Sequence, residues 1–240
     1  MTIIPRTVIY PLTPSSLLNH ILTTQSNTSR TTLIICSSRE TFLQGLLGSL
    51  QQQGTQQGTQ LQDLMAPTLH NLATARHVKT SFCASVPALL AYMTAHRGEV
   101  ESAHADESES RRVAAAGTET IVLVNALALH APTPSFSAQG LSRTFAAAVE
   151  MATRVGAALV LAECQGRRGG ETGETGGEGD VVVDGEVDPW EQDVSILNVS
   201  AKKFASKDSD RAWAGRTVKV KRIAARWFHF HRLPNSSNHG

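Results

Sequence analysis

The sequence predicts an α/β fold in which a mostly parallel sheet is covered by helices on both faces. Residues 31–36, 120–129 and 157–163 are runs of mostly apolar residues, of the kind found in strands that are buried on both sides. Segments with helical spacing of their apolar residues lie between such runs, and this alternation is typical of parallel strands joined by helices. Aromatic residues are only 5% of the chain, which favours this class over an aromatic-rich β-sandwich.

The first elements of the chain alternate between strand and helix. Residues 6–10 (RTVIY) predict a strand, and the following segment to residue 22 predicts a helix capped by Ser15 or Ser16. Two further strand–helix pairs follow, at 31–36 with 40–50 and at 77–83 with 86–96. Pro87 falls in the first turn of the last of these helices, where proline is tolerated.

The next pair is the clearest in the chain. Residues 120–129 (TIVLVNALAL) predict one central strand, and residues 137–155 predict a long helix. One face of that helix carries Leu141, Phe145, Val149 and Ala152. Residues 157–163 (AALVLAE) predict another buried strand, so the parallel core extends to this point.

The C-terminal part predicts a different arrangement. Residues 194–199 (VSILNV) and 216–230 (RTVKVKRIAARWFHF) both have the pattern of strands, and no helix-length segment is apparent between them. Strands joined without a crossover helix pair in antiparallel fashion. We therefore expect an antiparallel β-hairpin at the edge of the sheet.

These elements predict one domain over residues 1–232. Polar insertions near 51–60, 98–118 and 165–188 interrupt it, and a disordered tail follows at 233–240. No apolar run approaches the roughly 20 residues that span a bilayer, so no membrane association is expected. Three cysteines are too few and too scattered for a disulfide framework, which favours a reducing compartment.

The net charge of +1 hides two opposite blocks. Residues 163–193 carry ten acidic residues against two arginines, a formal −8. Residues 201–232 carry ten basic residues against two aspartates, a formal +8. Blocks of this kind are typical of solvated loops, interaction tails or nucleic-acid faces.

The basic block is interleaved with aromatic residues, as in proteins that bind nucleic acid. Basic side chains neutralise phosphates, and aromatic faces stack on unpaired bases. The expected nucleic-acid contacts are Lys202, Lys203, Arg216, Lys219, Lys221, Arg222 and Arg226. In the alternative interpretation, Trp227, Phe228 and Phe230 fill the core and the cations only keep an exposed strand soluble.

Two further tryptophans, Trp190 and Trp213, lie beside charged residues in predicted loops. Tryptophan in such a position is typical of a protein–protein contact, so both are candidate interface residues. The alternative for Trp190 is that its ring folds back and covers the sheet of its own chain.

The sequence offers no catalytic residue, metal site or cofactor site that we would assign. A phosphate-binding loop needs glycines before a Lys-Ser/Thr pair, whereas Lys79-Thr80 lies inside a predicted strand. The central strand offers only Asn125 where P-loop ATPases have a carboxylate that organises Mg²⁺. We therefore expect a protein that is not an enzyme.

The order of elements resembles the RecA-like ATPase core. The resemblance rests on the run IVLVNALAL with its long helix, then AALVLAEC, an insertion, VSILNV and GRTVKVKRIAARWFHF, over residues 31–230. It implies a RecA-like mostly parallel sheet with a C-terminal antiparallel β-hairpin. Because the nucleotide loop has no match, it also implies a pseudo-ATPase.

Degenerate RecA-like chains of this size are similar to two groups. One is the recombinase paralogues of the Shu complex, which assist homologous recombination and DNA repair in the nucleus. The other is the RecA-like subunits of the Elongator accessory subcomplex, which act in tRNA wobble-uridine modification. Either resemblance implies a hetero-oligomer of related RecA-like subunits that contacts single-stranded or double-stranded DNA, or tRNA. A catalytically silent scaffold that binds only proteins is the remaining alternative.

Overall fold

The computed structural model describes residues 5–24, 29–53, 68–98, 119–164, 188–196 and 216–233. The strands are β1 (Arg6–Leu12), β2 (Thr31–Ile35), β3 (Val78–Phe82), β4 (Thr120–Val124), β5 (Ala158–Cys164), β6 (Asp193–Ser195), β7 (Thr217–Lys219) and β8 (His229–Arg232). The helices are α1 (Pro14–Thr24), α2 (Arg39–Gln53), α3 (Leu69–Ala75), α4 (Val86–Ala95), α5 (Ala126–His130), α6 (Ala138–Val155) and α7 (Val220–Ala224), with a 3-10 turn at Pro189–Glu191.

The main sheet has the strand order β3-β2-β4-β5-β1-β8. Every neighbouring pair in it is parallel. Parallel strands cannot be joined by a tight turn, so the connections between successive strands cross over the sheet. The short strands β6 and β7 form a separate antiparallel pair.

The sheet is buried on both faces because successive side chains of a strand point in opposite directions. In β2, Ile34 packs with the cluster that contains residues of α4, α6 and α7, whereas Leu33 and Ile35 pack with residues of α1 and α2. All five residues of β2 are buried. This confirms the predicted fold class, and it is the α/β architecture that the RecA-like resemblance implies.

The long helix α6 has the boundaries that its sequence predicts. Ser137 caps its first turn, where the serine Oγ accepts the N–H of Gly140 at 3.1 Å. Gly156 ends it with a φ of 70°, which glycine adopts without a steric cost. The face that carries Leu141 and Phe145 is fully buried.

The predicted strand at 120–129 is too long. The strand ends at Val124, and Asn125 has the left-handed values φ 60° and ψ 37°. The apolar residues after it form the short helix α5 instead. An apolar run alone does not distinguish a buried strand from a buried helix, which is why the sequence pattern extended the strand.

The predicted strand at 216–230 is also wrong in detail. Its first part is β7, which pairs with β6 as the predicted antiparallel hairpin. The chain then turns through α7, whose buried residues Val220, Ile223 and Ala224 have helical spacing. Only β8 reaches the edge of the main sheet, and it pairs there in parallel with β1. The hairpin is therefore separate from that edge.

The predicted insertions and the tail lie mostly outside the described residues. Where they overlap, α2 extends to Gln53 and so includes the start of the first insertion. None of the helices that the structure describes is both long enough and apolar enough to cross a membrane.

Candidate nucleic-acid interface and the carboxyl edge of the sheet

The expected nucleic-acid residues lie on β7, on α7 and in the turn after α7. Arg216 precedes β7, Lys219 ends it, and Lys221 and Arg222 belong to α7. Arg226 follows in a turn, where its N–H donates to the carbonyl of Ile223. Lys202, Lys203 and Trp213 fall outside the described residues. The structure therefore distributes these cations over a strand, a helix and a turn, and not along the single strand at 216–230 that the sequence predicts.

Two of the lysines are paired with acids of the same chain. Lys219 Nζ lies 3.8 Å from Glu191 Oε2 and 3.6 Å from Asp193 Oδ2. Lys221 Nζ lies 3.1 Å from Glu191 Oε1, and this hydrogen bond raises the pKa of Lys221. These side chains are about half exposed, so each pair adds little to stability. They nevertheless lower the positive charge that Lys219 and Lys221 present to solvent.

Three arginines have no such partner. Arg222, Arg226 and Arg232 are exposed, and no carboxylate in the described part of the chain forms an ion pair with them. We call these three residues the arginine group. Their guanidinium groups are free to bind phosphate, for which their planar donor geometry is well suited.

The aromatic residues of the same segment pack inside the protein. Phe228 is buried and meets Phe145 edge to face, with ring centres 5.6 Å apart. Phe230 meets both Tyr10 and Trp190 in the same manner, at 5.8 and 5.3 Å. For Phe228 and Phe230 the structure agrees with the alternative interpretation of the aromatic pattern, in which the rings fill the core. Phe228 is therefore not available to stack on a base.

Trp190 lies in the core, with 1% of its surface exposed. The 3-10 turn that carries it is capped by Asp188, whose Oδ1 accepts the Trp190 N–H at 3.0 Å. The candidate interface role required an exposed ring. The structure instead has the tryptophan folded back against its own sheet, where it packs on Phe230.

Asn125 ties two strands together at the carboxyl edge of the sheet. Its N–H donates to the carbonyl of Ala162 at 2.8 Å, and its side-chain oxygen accepts the N–H of Cys164 at 2.7 Å. Asparagine tolerates the left-handed backbone better than most residues, because its short polar side chain bonds locally. The residue thus has a structural role at the position where P-loop ATPases have a carboxylate that organises Mg²⁺.

Glu163, next to it, is a residue that the sequence reasoning missed. It was counted with the acidic block, but it is only 4% exposed. Its Oε1 accepts the N–H of Leu127 at 2.7 Å, and its Oε2 accepts that of Ala128 at 3.4 Å. Burial raises the pKa of Glu163 to about 8, against the opposing effect of these hydrogen bonds. Its position at the end of a buried apolar strand was the available signal.

The described turns that lead from a strand into a helix contain no glycine. Thr13 alone joins β1 to α1, and Asn125 alone joins β4 to α5. Residues 36–38 join β2 to α2, and residues 83–85 join β3 to α4. A phosphate cradle needs several consecutive N–H groups in a loop that only glycine allows to approach closely. The described ranges also contain no group of three or more side chains suited to bind a metal ion.

Comparison with known proteins adds little to this geometry. No family model and no curated protein matches the chain. Among solved structures, the chain is similar to one described as the ATPase domain of another protein, with 9% identity and a TM-score of 0.36. The match covers 66% of this chain and 57% of that chain. At this identity and score, no residue role passes from that protein to this one.

Proposed function

We propose that this protein is a non-catalytic RecA-like subunit that binds nucleic acid through the arginine group. The observation that carries the proposal is that Arg222, Arg226 and Arg232 are exposed and have no acidic partner among the described residues. Each cation that contacts a phosphate releases counterions, which gives sequence-independent affinity. The strand-to-helix turns within the described ranges contain no glycine, which is consistent with a subunit that does not hydrolyse nucleotides itself.

The biological setting that we propose is assistance to homologous recombination and DNA repair in the nucleus. The chain would act there in a hetero-oligomer with related RecA-like subunits. The tRNA-modification setting uses the same arginines on a different nucleic acid. A protein-only scaffold is the remaining candidate. It is favoured by the packing of Phe228 and Phe230 against other rings of the chain, because this packing limits base stacking and leaves phosphate contacts as the main means of binding nucleic acid.

Fluorescence anisotropy with labelled single-stranded DNA, duplex DNA and tRNA tests this proposal over a range of salt concentrations. We expect binding whose affinity falls steeply with salt. The triple variant Arg222→Glu, Arg226→Glu, Arg232→Glu should lose at least about tenfold in affinity. The matched control is Arg39→Glu, Arg76→Glu, Arg97→Glu, which makes the same charge change at exposed arginines of other elements.

The outcomes separate the three functions. Preferential binding to DNA that the arginine-group variant alone abolishes supports the recombination setting, and preferential binding to tRNA supports the alternative. No binding at low salt, or equal losses in the two triple variants, contradicts the proposal and favours the protein-only scaffold.

A further inference from the structure

A large crevice lies at the carboxyl ends of β2, β3 and β4, and no member of the arginine group lines it. Its volume is about 1090 Å³. The strand order explains its position: the chain that leaves β2 goes to β3 on one side, and the chain that leaves β4 goes to β5 on the other. In open parallel sheets, ligands bind where successive connections part in this way.

The walls of the crevice are mainly apolar. Phe42 and Gly45 of α2 form one wall, Val86 and Leu90 of α4 form another, and Leu129 at the end of α5 closes the third. Cys36 and Asn125 lie at the ends of the strands below them. Concave sites with apolar walls and a few polar groups are typical of small-molecule binding.

Most of the hydroxyl groups that line the crevice already form hydrogen bonds within the chain. Ser38 Oγ accepts the N–H of Thr41 at 3.1 Å, and Ser85 Oγ accepts the N–H of Ala88 at 3.3 Å. Thr133 donates to the carbonyl of His130 at 2.8 Å. These contacts fix the turns of the crevice and leave few free polar groups for a ligand.

Two of the groups that remain available to a ligand favour an anion. Arg143 is exposed, and it is the one charged side chain among the described residues that line the crevice. The oxygen of Asn125 is held by the Cys164 N–H, so its amide nitrogen is left as a donor. Both groups complement an acceptor with negative charge, and no carboxylate of the described lining opposes one.

We propose that this crevice binds a small organic monoanion with an apolar body. Its acidic group pairs with Arg143, and its apolar body lies between Phe42, Leu90 and Leu129. One cation without further basic residues suits a single carboxylate or sulfonate better than a polyphosphate. The proposal is independent of nucleic-acid binding, since it uses none of the arginine group.

Gly45 and Gly48 allow a matched test in the full-length chain. A Cβ at either glycine meets no atom within 4 Å, so both tolerate a larger side chain. Gly45 lines the crevice, whereas Gly48, one turn further along α2, does not. Gly45→Leu therefore fills the crevice, and Gly48→Leu makes the same change to the helix outside it.

The probe is anilinonaphthalene sulfonate, an aromatic monoanion whose fluorescence rises in apolar sites. We expect saturable binding to the wild-type chain, a loss of at least about tenfold in Gly45→Leu, and unchanged binding in Gly48→Leu. Dodecanoate should displace the probe. Equal binding by the two leucine variants, or displacement by adenosine triphosphate in preference to dodecanoate, would overturn the proposal.

A second variant removes the charge and leaves the apolar walls of the crevice unchanged. Arg143→Gln should weaken binding of the sulfonate by about tenfold and leave binding of the uncharged phenylnaphthylamine unchanged. The control is Arg39→Gln, an exposed arginine that does not line the crevice. If Arg143→Gln weakens binding of both probes equally, or of neither, the proposal of an anionic ligand is wrong.

Discussion

The buried Glu163 carboxyl group accepts the N–H of Leu127 at 2.7 Å and so holds the first turn of α5 against the end of β5. A helix of five residues is too short to be stable alone, and its first N–H groups have no partner within the helix. Glu163 supplies that partner from a neighbouring strand. Because the group is ionisable, its burial makes the stability of the fold depend on pH.

The first prediction concerns this pH dependence. The pKa of Glu163 is raised from 4.5 to about 8, so between these values the folded state holds a proton that the unfolded state has lost. The contribution of the group is complete below pH 4.5 and is lost as pH rises to about 8. The slope is about 1.4 kcal/mol per pH unit within this window.

Urea unfolding of the wild type and Glu163→Gln at several pH values measures this slope. Glutamine keeps an oxygen acceptor for Leu127 but does not ionise, so the difference in unfolding free energy between the two proteins should change with pH in favour of the variant. Glu150→Gln, at a carboxylate that is 79% exposed, is the control. A difference that stays constant from pH 5 to about 8 contradicts the assignment.

The second prediction uses two glycines in helices, whose substitution by alanine should have opposite effects. A Cβ at Gly140 overlaps the carbonyl oxygen of Ser135, whereas a Cβ at Gly45 meets nothing within 4 Å. Gly140→Ala should lower the unfolding free energy by about 1–3 kcal/mol, because the turn before α6 must move. Gly45→Ala should raise it by up to about 1 kcal/mol through helix propensity. Thermal or urea unfolding checks both, and effects of the same sign would be evidence against this packing.

The third prediction concerns the ion pairs of Glu191. Its carboxylate contacts both Lys219 and Lys221. Glu191→Gln should make Lys221 available to phosphate, whereas Lys219 keeps its pairing with Asp193 at 3.6 Å. If the arginine group binds nucleic acid nearby, affinity should rise by about two- to fivefold and the salt dependence should steepen by about one unit of slope. The measurement is the same salt-dependent anisotropy. Glu40→Gln makes the same charge change on α2. An equal gain in nucleic-acid affinity in that variant would contradict the prediction, because the effect would then come from net charge alone.

The parallel core was predictable because its strands are buried on both faces. In β2 and β5 that burial requires continuous apolar runs, which are visible without any knowledge of the tertiary structure. The long helix α6 was predictable for a similar reason, since its serine cap, apolar face and terminal glycine all agree.

The C-terminal segment was less predictable because two patterns overlap in it. Its alternating cations and apolar residues fit a strand, yet Val220, Ile223 and Ala224 also fit one turn of helix that packs on α6. Burial of Trp190 could not be read from its charged neighbours, since the ring is held by contacts with Phe230, which is distant in sequence. Glu163 was missed because composition places it in the acidic block, whereas its surroundings are set by the sheet.

The pairing of β1 has a consequence for how the chain acquires its structure. Both neighbours of β1 lie far along the chain, with Thr7 opposite Val160 of β5 and His229 of β8. A strand near the start of the sequence therefore keeps both hydrogen-bonding edges open until residues synthesised much later arrive. Contacts of such long sequence separation slow folding and leave strand edges exposed to other chains in the meantime. A fragment that stops before residue 158 lacks both partners of this strand, so we expect such incomplete chains to associate through β1.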